Sequence, residues 1–172
     1  LAPKNGAAFA FLGLCEFGLK EYDHAMEDLL ESRVYGVGDT GDLAGIARYH
    51  IATLMTRVGQ HEQALQTLGE FASEGVDNAR VIEAMGIATL RMPVFPEDLP
   101  ADRHEMVIIA GRASYQMATR NTASAGKSFQ ALALRYPETP NVHYAYGVYL
   151  LLEQPDKAID EFKKELELQP AH

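Results

Sequence analysis

The sequence predicts an all-α chain built as an array of about four to five stacked helical hairpins. A signature recurs along it: a small residue, an alanine 12 positions later, and a large apolar residue four positions beyond the alanine. The signature begins at Gly13, Ala52 and Gly147, the last time with one residue fewer in the turn. Helix-forming Ala, Leu and Glu are plentiful, whereas Val, Ile and Thr are scattered, so strands have little support. A period near 34 residues is typical of stacked repeats.

The first two hairpins are predicted from helical pattern and turn residues. We expect helices at about 4–19 and 24–34, joined by a turn at 20–23. Three glycines then break the helical pattern, and an Asp or Thr beside them can accept the first free N–H groups of helix three. These residues are Gly36, Gly38, Gly41, Asp39, Thr40 and Asp42. Helix three continues to about 58, and helix four covers 62–73, with Gly75 as its C-cap.

A proline-rich segment interrupts the array after helix five, which is predicted at 78–91. Segment 92–100 has three prolines, so no helix can cross it. Four further helices are expected at about 102–119, 123–135, 141–152 and 156–168. Nine helices leave one hairpin incomplete, and the simplest account is that segment 92–100 replaces the second helix of the third hairpin. Its Val94-Phe95 pair is either tucked into the resulting gap or offered to another protein.

The whole chain, 1–172, is interpreted as one repeat domain. Its two halves, 1–91 and 101–172, are joined by the loop at 92–100. Because the sequence starts at Leu1 without methionine and stops just after a repeat, we expect it to be a segment of a longer protein.

Charge and composition exclude some classes of function. The net charge is −9, which repels phosphate backbones, so nucleic-acid binding is not expected. Residues 16–42 carry eight acids and two bases, whereas residues 103–136 carry five bases and one acid. This asymmetry indicates either two solvated faces or a polarised molecule that associates head to tail. The sequence has no apolar run of about 18 residues, so it predicts no membrane-spanning helix. The single cysteine does not distinguish cytoplasm from periplasm, so the compartment is not predicted.

No motif supports catalysis, a metal or a cofactor. The glycines at 36, 38 and 41 match a dinucleotide fingerprint in letters only, because a helix and not a strand precedes them. The Gly126-Lys127-Ser128 triplet lacks the earlier glycine that a phosphate-binding loop needs. The six histidines form no close ligand pair on one helix face. Cys15, in the middle of helix one, is expected to be a buried, inert thiol.

These repeated residues resemble the tetratricopeptide repeat (TPR) family, in the style of bacterial TPR segments of larger envelope or regulatory proteins. The last unit carries the clearest match, in His143, Tyr146, Gly147, Leu150, Ala158, Phe162, Leu166 and Pro170. Earlier units match at Phe9, Leu12, Gly13, Ala25 and Leu29, and at Ile51, Ala52, Ala64, Leu68 and Phe71. The unit ending in Ala125, Phe129 and Pro137 matches in its second half, and the third unit only in Met85-Gly86. The resemblance implies a right-handed α-α superhelix whose first helices line a concave groove that binds partners.

Transferring the groove by repeat position gives nine candidate partner-binding residues. They are Phe17, Tyr49, Thr53, Arg57, Glu83, Ile87, Arg91, Tyr144 and Val148. The lysine–asparagine pair with which some TPR proteins clamp a terminal carboxylate is replaced here by Ala10 and Leu14. Arg57 and Arg91 recur at one place in successive units, where they either contact an acidic peptide or serve as surface or packing residues.

The function expected from this resemblance is a scaffold that binds a peptide segment of a partner protein, without enzymatic activity. The alternative is a structural spacer or a homo-oligomerisation segment. A homodimer through the C-terminal helix is expected in that case, because Phe162 and Leu166 have no polar capping helix after them.

Overall fold

The computed structural model describes residues 5–170, and within them nine α-helices and no strand. The helices are α1 (Gly6–Gly18), α2 (Tyr22–Tyr35), α3 (Leu43–Arg57), α4 (His61–Ser73), α5 (Ala79–Thr89), α6 (His104–Ala118), α7 (Thr122–Arg135), α8 (Val142–Leu150) and α9 (Pro155–Leu168). Each helix packs against the next in sequence, and α3 also contacts both α1 and α5. The predicted all-helical stack is therefore confirmed for this part of the chain, except that the predicted start of helix one, near residue 4, lies outside it.

One type of helix ending recurs through the array. At the ends of α1, α3, α5 and α6, one residue adopts a left-handed conformation, and the N–H groups of this residue and the next one bond back to the helix. These residues are Lys20, Gly59, Arg91 and Arg120, with φ from 53° to 82°. Helix α4, a second helix, ends in the same way at Gly75, so this ending does not mark first helices. Helices α6 and α7 form a further hairpin because they pack on each other across a short turn.

Small residues lie where helices cross, as the signature predicts. A Cβ on Gly13 would lie 3.0 Å from the Ala25 carbonyl oxygen and 2.8 Å from the Leu29 side chain. At Gly147, the three atoms nearest to an added Cβ belong to the ring of Phe162, the large apolar residue of the last signature. Ala158 is fully buried beside this crossing.

Segment 92–100 contains no α-helix, in agreement with the sequence. It forms a short 3-10 turn at Pro96–Asp98, and a second one follows at Ala101–Arg103. With no second helix between them, α5 and α6 pack directly on each other. Gly86 near the end of α5 meets Val107 near the start of α6, while Ile82 meets Gly111. The two helices are therefore antiparallel, whereas first helices of a regular array run parallel.

Phe95 is tucked into the array, which settles the alternative that the sequence left open. It is 1% exposed, and its ring centroid lies 5.2 Å from that of Phe17 and 4.8 Å from that of Tyr22. The guanidinium of Arg57 lies 5.0 Å from the same ring. The proline-rich loop thus closes the core formed by α1, α2 and α3.

The last hairpin is joined by buried carboxylates of α9. Glu165 accepts hydrogen bonds from the backbone N–H groups of Asn141 (2.8 Å) and Tyr144 (3.1 Å), at the start of α8. Glu161 lies 2.5 Å from Nδ1 of His143, whose Nε2 lies 2.9 Å from the Pro137 carbonyl oxygen. His143 is therefore buried, with both ring nitrogens within hydrogen-bond distance of a partner.

Two local expectations need correction. Cys15 is exposed, because its face of α1 has no neighbouring hairpin among the described residues. Asp42 is the N-cap residue of α3, but its side chain makes no capping hydrogen bond. None of the described helices combines the length and the apolar character that crossing a bilayer requires.

A candidate peptide-binding cleft at the interruption of the array

The nine predicted partner-binding residues do not form one continuous groove. Arg91, Tyr144 and Val148 line one cleft together, and Tyr49 lines a separate cavity near the α2–α3 loop.

The other five predicted residues do not line this cleft. Phe17 and Arg57 surround Phe95. Thr53 and Ile87 are buried, at 4% and 1% exposure, so they present almost no surface. Glu83 is paired with His104 at 3.0 Å.

The cleft that joins Arg91, Tyr144 and Val148 has a volume of about 480 Å³. It lies where α4, α5, α6, α7 and α8 converge, beside the incomplete third hairpin. Its apolar lining is Leu65, Met85, Ala88, Met117, Ala118, Phe129, Ala145, Val148 and Leu152, and its polar lining is His61, Glu62, Gln66, Thr89, Arg91, Ser114, Tyr144 and Tyr149. The cleft is thus mostly apolar, with convergent polar groups, as is typical of binding sites.

Arg91 is the main charged group of the cleft, and its position depends on its backbone. Its φ of 53° places it at the left-handed end of α5, from which the side chain reaches across to α4 and α8. Its Nη1 donates to Glu62 (2.7 Å) and to the hydroxyl of Tyr144 (3.3 Å). The guanidinium also lies 5.0 Å from the Tyr144 ring centroid. Arg91 therefore connects two walls of the cleft, and its charge is largely balanced by Glu62.

Two ionisable side chains of the cleft have lowered pKa values, which favours the charged form of Glu62 and the neutral form of His61. Hydrogen bonding to its own backbone N–H at the start of α4, and then Arg91, hold the pKa of Glu62 below its ordinary value. Burial, and then the charge of Arg91, lower the pKa of His61 below 6.5. The Nδ1 atom of His61 is buried and has no hydrogen-bond partner among residues 5–170. His61 is therefore a neutral side chain near pH 7 with one polar atom unused by the described structure.

We expect replacement of His61 by glutamine to reduce the loss of stability in mild acid. The unfolded chain binds a proton at His61 more readily than the folded chain, so the wild-type contribution is complete above pH 6.5 and is lost as the pH falls below it. Melting temperatures measured over a series of pH values should fall less steeply for His61→Gln. The exposed His24→Gln is the matched control, and equal slopes in wild type and His61→Gln would contradict the expectation.

The second cavity, of about 760 Å³, has its principal charges paired. Arg48 donates to Glu70 (3.2 Å) and Glu74 (2.6 Å), and its guanidinium lies 4.0 Å from the Phe71 ring centroid. Burial raises the pKa of Tyr49 to about 12, so this hydroxyl stays protonated. This cavity is a less suitable peptide site, because a ligand would have to compete with an internal ion-pair network.

Sequence reasoning did not identify Leu65 or Leu152 as cleft residues. The groove transferred from TPR arrays contains first helices only, whereas α4 supplies Leu65 from a second helix. The sequence signal for this cleft was the odd number of predicted helices, which indicates a place where the regular pairing of helices is interrupted.

At a distance from the cleft in the sequence, one group of side chains in the described structure is close enough together to hold a metal ion. Glu16, Glu21 and His24, around the α1–α2 turn, have ligand atoms within 4.8 Å of one another. Sequence reasoning predicted no metal ligands. This group is largely exposed, and exposed acidic clusters of this kind are common without a metal ion.

No comparison with known proteins assigns this chain to a family, so the TPR resemblance depends on the chain's own residues. Similarity to the TPR pattern stays a prediction, supported by the helical stack and by the small residues at its crossings. Comparisons with protein-family models, curated protein sequences and solved structures gave no significant match.

Proposed function

We propose that this chain is a protein-interaction module that binds an amphipathic helical segment of a partner protein in the cleft between α4 and α8. The observation that carries this proposal is a mostly apolar cleft at the place where the repeat pattern lacks a helix. A repeat array buries its core by stacking each helix on its neighbours, so an apolar cleft that no helix of the described chain fills can seat a helix of another protein.

The size and lining of the cleft suit such a segment. Its volume of about 480 Å³ lies within the range of small binding sites, roughly 300–1,000 Å³, and accommodates a few apolar side chains. Leu152 is 61% exposed at its rim, and Val148 is also exposed. Apolar anchors spaced at one helical turn on the partner would cover these side chains.

Polar groups at one end of the cleft would fix the orientation of the segment. Arg91, which donates to the Tyr144 hydroxyl, brings guanidinium N–H groups to the cleft, and His61 has one buried ring nitrogen without a hydrogen-bond partner in the described structure. Because Glu62 balances Arg91, apolar contacts are expected to supply most of the affinity. An acidic residue on the partner would compete with Glu62 for Arg91, which makes that contact sensitive to salt.

Selection from a phage-displayed library of helical peptides tests this proposal. We expect peptides with apolar residues at i, i+3 or i+4, and i+7 to be enriched on the purified chain. Their affinity should fall at least about tenfold for Leu152→Glu, which places a charge in the apolar cleft, and a tenfold loss corresponds to roughly 1.4 kcal/mol. Arg91→Gly, which keeps the left-handed helix end without strain, should reduce the salt dependence of binding.

Leu134→Glu is the matched control, because Leu134 is an exposed leucine that does not line the cleft. Peptide affinity for this variant should equal that of the wild type. The proposal fails when no peptide is enriched, or when enriched peptides bind Leu152→Glu as tightly as the wild type.

A homo-oligomerisation role is the second candidate, and one specific observation favours it. Large apolar side chains are exposed on both terminal hairpins of the array, on α1 and on α8–α9. The expected homodimer through the C-terminal helix uses only one of these surfaces.

A further inference from the structure

Helix α1 is apolar on nearly its whole circumference. Glu16 is the only charged residue among its 13 residues. Its outer face, opposite the core, consists of Ala8, Phe11, Leu12, Cys15 and Leu19. Phe11 is 58% exposed and Leu12 is 49% exposed. A helix that is apolar all round is normally covered on all sides, so we expect another protein surface to cover this outer face.

The same face is buried in the later first helices of the array. The signature moves 39 positions from Gly13 to Ala52, so the counterparts of Ala8, Leu12 and Cys15 in α3 are Ala47, Ile51 and Leu54. All three are buried, in one core cluster with Ala25 and Leu29 of α2.

Two further helices repeat this arrangement. In α5 the counterparts of Ala8, Phe11 and Leu12 are Val81, Ala84 and Met85, which share a core cluster with Leu68 and Phe71 of α4. In α8 the counterparts of Ala8 and Phe11 are Val142 and Ala145, buried in one cluster with Phe129 and Leu132 of α7. The outer face of α1 therefore has the register of a surface that stacks on a preceding hairpin.

The last hairpin exposes the surface that receives such a helix. In the first hairpin, the core cluster that holds α3 includes Leu14, Phe17 and Met26. Their counterparts lie 134 positions further on in α8 and 133 positions further on in α9, and all three are exposed: Val148 (44%), Leu151 (53%) and Ile159 (51%). The receiving face of the last hairpin is thus apolar and has no helix seated on it in the described chain.

The geometry points to head-to-tail stacking of identical chains, in which the outer face of α1 of one copy sits on the receiving face of α8 and α9 of another. The two faces have the registers of surfaces that already meet inside this chain, so each has the other as its natural partner. Within the chain, Phe17 and His50 meet with ring centroids 4.6 Å apart. Their counterparts at the new junction are Leu151 of one copy and Phe11 of the next.

Such a contact joins different surfaces and leaves one of each free, so further copies can add until the oligomer either closes into a ring or continues as an open chain. The receiving face shares Val148 with the peptide cleft, but Leu12 and Ile159, the two residues changed in the test below, do not line the cleft, so the two proposals can fail separately. Head-to-tail stacking also differs from pairing through α9 alone, which would stop at a dimer.

Sedimentation velocity on single and mixed variants tests this stacking. We expect the average mass of the wild type to rise with concentration beyond that of two chains. Leu12→Glu blocks the α1 face and Ile159→Glu blocks the receiving face, so each variant alone should stay monomeric. An equimolar mixture retains one intact junction and should give a dimer of one copy of each, which also shows that both variants are folded.

Leu134→Glu, which changes an exposed leucine outside both faces, should associate as the wild type does. Three results would overturn the proposal: a wild type that is monomeric at every concentration, a mixture that forms no dimer, or either variant dimerising alone. Dimerisation of Leu12→Glu alone would indicate pairing through α9, and dimerisation of Ile159→Glu alone would indicate pairing through α1.

Discussion

Replacement of Gly86 by alanine is expected to lower the free energy of unfolding by about 3 kcal/mol. A Cβ at this position would lie 1.9 Å from the carbonyl oxygen of Val107 and 2.8 Å from its carbonyl carbon. These are backbone atoms of α6, so the clash cannot be relieved by rotating a side chain. The two helices would have to separate, which exposes the core cluster that contains Ile87 and Val107.

Gly69→Ala is the matched control for this prediction. Gly69 lies inside α4, and the nearest atom to an added Cβ is the Cβ of Ala118 at 3.8 Å, an ordinary contact. Alanine is the better helix former by about 1 kcal/mol, so Gly69→Ala should raise the melting temperature, whereas Gly86→Ala should lower it. Urea unfolding followed by circular dichroism measures both, and a Gly86→Ala variant as stable as the wild type would show that α5 and α6 do not cross here.

The first hairpin illustrates what the sequence could predict about this fold. Gly13 and Ala25 face each other across a short turn, so their spacing alone indicates the contact. The same period selects Gly86 as a crossing residue, but not its partner. Val107 becomes the partner because α6 packs antiparallel on α5 after the proline-rich loop, and the repeat period does not predict that pairing.

The candidate cleft was predictable only in part, for the same reason. Arg91 and Tyr144 are 53 positions apart, and their contact depends on the direct packing of α5 on α6. Cys15 gives a second example, because the signature predicts burial at its position and its counterpart Leu54 is indeed buried. Cys15 itself is exposed because it lies in the terminal helix of the array, where no earlier hairpin of the described chain covers it.

Replacement of Phe95 by alanine is expected to cost about 3–5 kcal/mol, the usual range for removing a fully buried aromatic side chain. Its ring contacts Phe17 and Tyr22, and Arg57 lies over it. Removal leaves a cavity among α1, α2 and α3 and frees the loop that leads from α5 to α6. The melting temperature should therefore fall, and amides of α1 and α3 should exchange hydrogen faster than in the wild type.

Val94→Ala is the control that separates the Phe95 side chain from the loop as a whole. Val94 is half-buried and packs against the other core cluster, the one shared by α5 and α6. Its truncation should cost less than about 1.5 kcal/mol and leave exchange in α1 unchanged, because it removes two methyl groups from a partly exposed site. Equal losses of unfolding free energy in the two variants would mean that the loop acts as a unit. A much larger loss for Phe95→Ala identifies the Phe95 ring as the contact that holds the proline-rich loop against α1, α2 and α3.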